Sequence, residues 1–479
     1  MKFLNRLFLS LLIILPIQSC DDILDKEPLS RLTDNDIGEE GITTAAQAEA
    51  FLSGCYADFF GEYFMLDYFV IGDAQADNAY AGADNPANFQ IDEYKIEAVN
   101  SNVERDWRYL YATIAKCNTV LDNVGDIADP ALTETRKQEI IGEASFIRAF
   151  MYFELVRQFG DVPLLVREIA EVDLEKLDEI YLSRTPAAEV YTQIITDLET
   201  ALAKVRVDAP DKGYATRGAV NALLAKVYAT IEPHDWSKVN QYCDAIINGG
   251  YSLLPEYDQL WDLSQENSTE SIFEINCYGW DTGGNWGVYM FDGTDWKKFN
   301  TPTNDLVKAY EDEGDMIRRN SNIRFEDVTG KWPDRYWPLS TYPLINKYRD
   351  FNGTQNFILL RLADILLLKA EAQNELGNVD DAAALVNQIR ERVDLDPTAA
   401  STQAEMRLAI EKERRFELAF EGHRWHDLKR TGRAIEVLNA LKDGNGSSLG
   451  YALDEKRLLW PIPQTERDKN DKLTQNDAY

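Results

Sequence analysis

The chain has 479 residues, 82 of them acidic and 49 basic, for a formal charge of −33. A surface this negative repels nucleic acid and anionic lipid headgroups, which excludes both as ligands. The apolar fraction of 45% and the ten tryptophans are enough for a large core, in two or three average domains or in one large helical body.

The first elements are targeting elements. Lys2 and Arg6 precede an apolar stretch from Leu7 to Ile17, which is far shorter than the ~20 residues of a membrane span. Ser19 and Cys20 follow, so residues 1–19 are expected to be a bacterial lipoprotein signal, with cleavage and acylation at Cys20. Two or more acyl chains on Cys20 give a stable anchor. Residues 20–41 are acidic and lack an apolar period, as expected of a flexible tether.

From Ala45 onward helical spacing dominates, and residues 42–271 are expected to form a helical half. One interruption, Gly72 to Gln90, contains Asp73, Asp77, Asn78 and Tyr80, polar groups of the kind that line a ligand site and also of the kind that build turns. Trp107 lies in a helical pattern and is assigned to the core. Ile140, Ala144, Ile147, Met151 and Leu155 share one face while Phe146, Phe150 and Phe153 fill another, which predicts a central helix ended by Gly160 and Pro163. Thr185 and Pro186 read as a cap and first residue of a helix reaching about Val205. Two more helices follow, one carrying Val220, Leu224, Val227 and Ile231, the other running from about Asp235 to Asn248.

Between residues 272 and 357 the texture turns to glycine, aromatic and turn residues. Such a stretch is too aromatic to be a linker, and loops on a rigid scaffold are where binding residues concentrate. Trp280, Trp286, Tyr289 and Trp296 fall outside any helical core period, and two of the four are expected to stack on a ligand. A sugar ring offers a flat C–H face to such a side chain and hydroxyls to nearby amides and carboxylates. Further on, Ile358–Leu376 and Asp380–Val393 read as a helical hairpin about Gly377, the size of a tetratricopeptide unit. Residues 272–479 thus form a second, more irregular half.

Four segments together resemble the SusD/RagB family of surface nutrient-binding lipoproteins: EASFIRAFMYFELVRQFGDVPLL from Glu143, ILLRLADILLLKAEAQNELGN from Ile358, ERRFELAFEGHRWHDLKR from Glu413 and LLWPIPQTERDKNDKLTQN from Leu458. The resemblance implies a mostly α fold, a SusD-like superhelix of tetratricopeptide-like hairpins packed against a loop-rich C-terminal half. It implies an outer-membrane, cell-surface position, an oligosaccharide ligand (a peptide in some members), and a SusC-like TonB-dependent transporter as partner. It brings no catalytic residue. Arg414, Glu417, Glu421, Arg424 and Asp427 in these segments are expected to pair between helices as scaffold.

Other constellations carry less. His423, His426 and Asp427 have metal-like spacing without a third histidine nearby, so no metal is expected. Gly446-Ser447-Ser448-Leu449-Gly450 has the spacing of a nucleophile elbow, but the last histidine, His426, precedes it. Asp443, Asn445, Ser447 and Asp454 partly follow a calcium loop, yet Ser448 stands where glycine is needed, so structural calcium has no support and no cofactor is expected. Cys55, Cys117, Cys243 and Cys277 show no close C-x-x-C spacing; Cys117 and Cys243 read as small buried hydrophobes, with one disulfide among the four left open. The expected activity is binding and delivery of a glycan without chemistry; an exported glycoside hydrolase is the alternative.

Overall fold

The computed structural model describes residues 42–82, 85–169, 180–292 and 297–479. The signal, Cys20 with its tether, and Trp296 lie outside them.

Helices built on the predicted apolar stripes pack in succession. The central one, Glu134–Phe159, is buried at every position from Gly142 to Phe159. It packs against Ser101–Asn123 on one side and Ala187–Lys204 on the other. Its internal charges are tolerated because each meets an opposite: Arg148 grips Asp197 with two bonds of 2.8 and 2.6 Å, and Arg157 pairs with Glu154. Gly160, at φ +72°, ends the helix where a side chain would be strained. Helix Arg217–Tyr228 pairs with Trp236–Ile247, and the latter packs on Leu362–Glu375, which in turn pairs with Val379–Glu391. A single apolar core runs through both halves, from Ile42 to Leu473.

Two expected boundaries move. Pro186, not Thr185, occupies the cap position of Ala187–Lys204. Thr185 instead exchanges two backbone bonds with Val162, and Asp161 Oδ1 accepts the Ala187 N–H at 2.8 Å, so the cap comes from across the chain reversal. The Ile358 hairpin begins as a strand: Phe357–Arg361 pairs antiparallel with Ser271–Ile275 before the helix starts at Leu362. A short apolar run buried on both faces has no period by which to tell strand from helix.

All four cysteines from Cys55 onward are free and buried. Cys55 and Cys117 adjoin, and burial, followed by the neighbouring Cys55 thiol, pushes the Cys117 thiol well up.

Candidate functional site

The antiparallel strand pair explains where the loops meet. Ile275 lies opposite Phe357, so the chain leaving residue 275 and the chain arriving at 357 emerge from the same end of the pair. Asn356 ties them at that exit: its Oδ1 accepts the Cys277 N–H at 2.8 Å, and its Nδ2 donates to Glu274 and Asn276 at 2.7 and 2.6 Å.

Further out, Gly353 O accepts the N–H groups of both Gly279 and Asn285, at 3.1 and 2.9 Å. Asp350 organises the second loop by accepting from Asn352 N and Nδ2 and from Thr354 N and Oγ1, all within 3.0 Å. Burial opposes the charge of Asp350, but the Thr354 and Asn352 bonds outweigh it and hold the carboxyl below its ordinary range. Gln355 Oε1 accepts from Arg349 N and Asp350 N, and its carbonyl accepts from Asn285 Nδ2.

These two loops present an open aromatic platform. Trp280 is 47% exposed, Tyr289 41% and Phe351 37%. Trp280 and Tyr289 are 5.6 Å apart between ring centroids at 51°, and Tyr289 meets Phe351 edge-on at 5.2 Å. The polar atoms of the first two rings point inward to one acceptor: Trp280 Nε1 and Tyr289 OH both donate to Phe351 O, at 3.2 and 3.0 Å. The outward surface is therefore aromatic. Behind the indole, Gly353 sits at φ +73°, and a Cβ there would come within 2.9 Å of Trp280 Cε2. The ring rests on glycine backbone, which lets it lie flat.

Of the aromatic residues expected to bind, Trp280 and Tyr289 stand together on this surface. Trp286 is only partly exposed and packs on the core; Trp296 lies outside the described residues. Phe351 is an addition that the sequence reading lacks; its signal is a large ring inside the Asp350-to-Thr354 turn, a segment with no face to bury it.

The polar residues are a correction. Asp73, Asp77, Asn78 and Tyr80 are exposed by 0%, 1%, 0% and 4% and line no surface. Asp73 accepts the N–H groups of Phe420 and Gly422 and the Asn78 amide, and burial raises its carboxyl to about 6. Asp77 is gripped twice by Arg424, at 2.6 and 2.8 Å; burial opposes its charge, but Arg415 and Arg424 hold it down to about 2. Tyr80 OH donates to Asp334. Asp73, Asp77 and Asn78 bolt the buried segment Tyr63–Tyr80 to the 415–424 region, and Tyr80 ties its end to Asp334. A buried polar interface and a ligand loop draw on the same residue types, and composition alone does not separate them.

The charges expected to be scaffold do form a buried nest. Arg361 donates to Glu270, Glu417 and Glu421 at 3.0, 2.7 and 2.7 Å, while Arg318 and Arg392 also bind Glu417. Arg414 pairs with Asp364 and Asp427. His423 Nδ1 lies 3.2 Å from Lys226 Nζ, a cation facing the would-be metal ligand. The Gly446–Gly450 segment is a turn in which Asp443 Oδ1 accepts from Asn445 N and Ser447 N.

Helical hairpins that carry an aromatic platform on two paired loops are a recognisable scaffold, and comparison with known proteins identifies it. The chain belongs to the SusD/RagB family: the SusD family model matches residues 269–479, and a second model, described as starch-binding associating with outer membrane, matches residues 23–229. A SusD-like protein of Formosa agariphila is 27% identical, covering 100% of this chain and 99% of its own. Among solved structures, a laminarin-binding SusD-like protein superposes with a TM-score of 0.75 at 24% identity, over 91% of this chain and 100% of its own. The surface glycan-binding protein A of Bacteroides fluxus gives 0.76 at 24% identity, with the same coverage.

Proposed function

We propose that this protein is a cell-surface glycan-binding lipoprotein, anchored to the outer membrane through acylated Cys20. It captures an oligosaccharide on the platform of Trp280, Tyr289 and Phe351 and delivers it, chemically unchanged, to a SusC-like TonB-dependent transporter. The observation that carries this reading is the platform itself: three rings exposed together, with the polar atoms of Trp280 and Tyr289 tied behind them to one carbonyl. Exposed aromatic surface on two cross-tied loops suits the apolar faces of sugar rings. The rings are inclined to one another, which suits a ligand that curves across them. The family model's description as starch-binding, and the laminarin- and glycan-binding names of two structural neighbours, agree in ligand class. Asp350, a carboxylate built into the platform loops, has both oxygens engaged by Asn352 and Thr354, which suits it to shaping the loop.

Calorimetric titration against a panel of plant, algal and storage oligosaccharides tests the binding, with chromatography of the recovered sugar to test for cleavage. Saturable binding of at least one glycan and its recovery intact are expected. Binding of peptides alone, or sustained release of reducing ends, would overturn the reading. Co-purification from detergent-solubilised outer membranes with a TonB-dependent barrel tests the partner.

A further inference from the structure

A cavity of about 790 Å³ opens beside the end of Glu134–Phe159, where Arg157, His426 and Lys429 converge. It shares no lining residue with the aromatic platform. Its volume is in the range of small-molecule sites.

Elsewhere in this acidic chain, buried cations face carboxylates. Lys347 bonds Glu421, Lys226 bonds Asp364, and Arg430, on the same cavity wall, is held by both Glu371 and Asp427. The three converging groups are met less completely. Lys429 Nζ donates to the Arg157 carbonyl at 2.5 Å and forms no carboxylate pair among the described residues. Arg157, 8% exposed, bonds Glu154 through Nη2 and leaves its buried Nε without a partner. His426, 7% exposed, has no hydrogen-bond partner for its buried Nδ1. Burial, followed by the Arg157 charge, lowers the Lys429 ammonium to about 7, and burial with Arg157 and Lys429 pushes the His426 imidazole well down. A buried ammonium without a carboxylate, beside a guanidinium Nε and a ring nitrogen without partners, costs free energy that an anion would recover.

We propose that this cavity binds an anionic group, a carboxylate or sulfate on a molecule of sugar-acid size, held by Lys429 and Arg157 and backed by His426. Arg184 and Lys456 line the same cavity alongside Asp161, Glu232, Glu455 and Asp477, so selection of an anion falls to the inner groups, Lys429 and Arg157. Lys429 also caps a carbonyl of the central helix, but that role uses one of its three N–H bonds.

The test is calorimetry on the whole protein at constant ionic strength, with sodium sulfate, glucuronate and glucose as probes. Saturable binding of sulfate or of glucuronate, none of glucose, and a loss of about tenfold or more in Lys429→Met are expected. Preference between the two anions assigns a tetrahedral or a planar group. Trp280→Ala should bind the anion as the native protein does, which keeps this site independent of the glycan reading. If Lys429→Met does not fold, His426→Gln serves, with weaker anion binding expected. Neither anion binding the folded native protein, a folded Lys429→Met or its His426→Gln substitute binding as well as native, or loss of anion binding in Trp280→Ala would each overturn the proposal.

Discussion

Replacing Trp280 with alanine isolates the platform from the scaffold beneath it. A tryptophan side chain presents at most ~250 Å². At 47% exposure, about 120 Å² of Trp280 is available to a ligand. At ~25 cal/mol per Å², complete coverage is worth about 3 kcal/mol and coverage of one half about 1.5 kcal/mol. That range falls within the ~1–3 kcal/mol found for bases stacked on aromatic side chains. The expected result is therefore a Kd for the bound glycan raised ~10- to 150-fold. Stability should change by less than about 1 kcal/mol, because the exposed ring contributes little to the core. Trp280→Phe keeps a stacking face and loses only the Nε1–H bond to Phe351 O, so it should retain most of the affinity. Titration calorimetry of the three proteins against the same oligosaccharide, with thermal melts as the folding control, makes the measurement. If Trp280→Ala is folded and binds the wild-type ligand with unchanged affinity, the ring does not stack and the assignment of the platform fails.

Three further outcomes follow from the same geometry. Gly353→Ala places a Cβ 2.9 Å from the indole at φ +73°, so it should cost ~1–2 kcal/mol of backbone strain and weaken glycan binding by displacing Trp280, both readable from melts and titrations. Arg361→Gln leaves Glu270, Glu417 and Glu421 short of their shared buried cation and should destabilise by ~3–5 kcal/mol in urea unfolding, whereas a result under about 1 kcal/mol would contradict the nest. Asp92 is buried, and burial raises its carboxyl to about 7 against the bonds from Ala81 and Tyr451. The folded state thus keeps a proton that the unfolded state has lost above about pH 4. This contribution is complete below that pH and is lost as pH rises through 7. Unfolding free energy should fall between pH 5 and 7, and Asp92→Asn should remove ~1.4 kcal/mol per pH unit from that slope, leaving the part due to the other raised carboxyls, among them Asp67, Asp73 and Glu266.

The helical half was legible because its signal is periodic. Ile140 to Leu155 repeats an apolar spacing that only a buried helix satisfies, and Gly160 marks its end in both sequence and structure. The aromatic residues of the site were legible in kind: Trp280 and Tyr289 sit in glycine-rich sequence that offers no core face. What sequence could not supply was pairing. Asp73, Asp77, Asn78 and Tyr80 read as loop residues because their partners, Phe420, Gly422, Arg424 and Asp334, lie hundreds of positions away. Ile358–Arg361 read as helix for a similar reason, since the strand partner at 271–275 lies more than eighty positions away. Phe351 went unnoticed because its role depends on a carbonyl that two distant side chains share.

The strand pair joins these observations mechanically. One end, at Ser271 and Arg361, is set in the ion nest through Arg361, with Glu417 held well below its ordinary range as Arg392, Arg361 and Arg318 outweigh the effect of burial. The other end, at Ile275 and Phe357, releases the two loops that carry the rings. Lys347, just before the second loop turns, bonds Glu421 in the same nest, so that loop is anchored at both of its roots. A nest of this kind adds little net stability compared with an apolar core, since burying each charge costs nearly what its pairing returns. Its effect lies in geometry. Any shift of either strand separates charges that have no water to replace their partners, which fixes the register from which both loops spring. The roots of both loops are therefore fixed below the platform, and the ties within the loops, chiefly to Phe351 O, orient the rings on that frame.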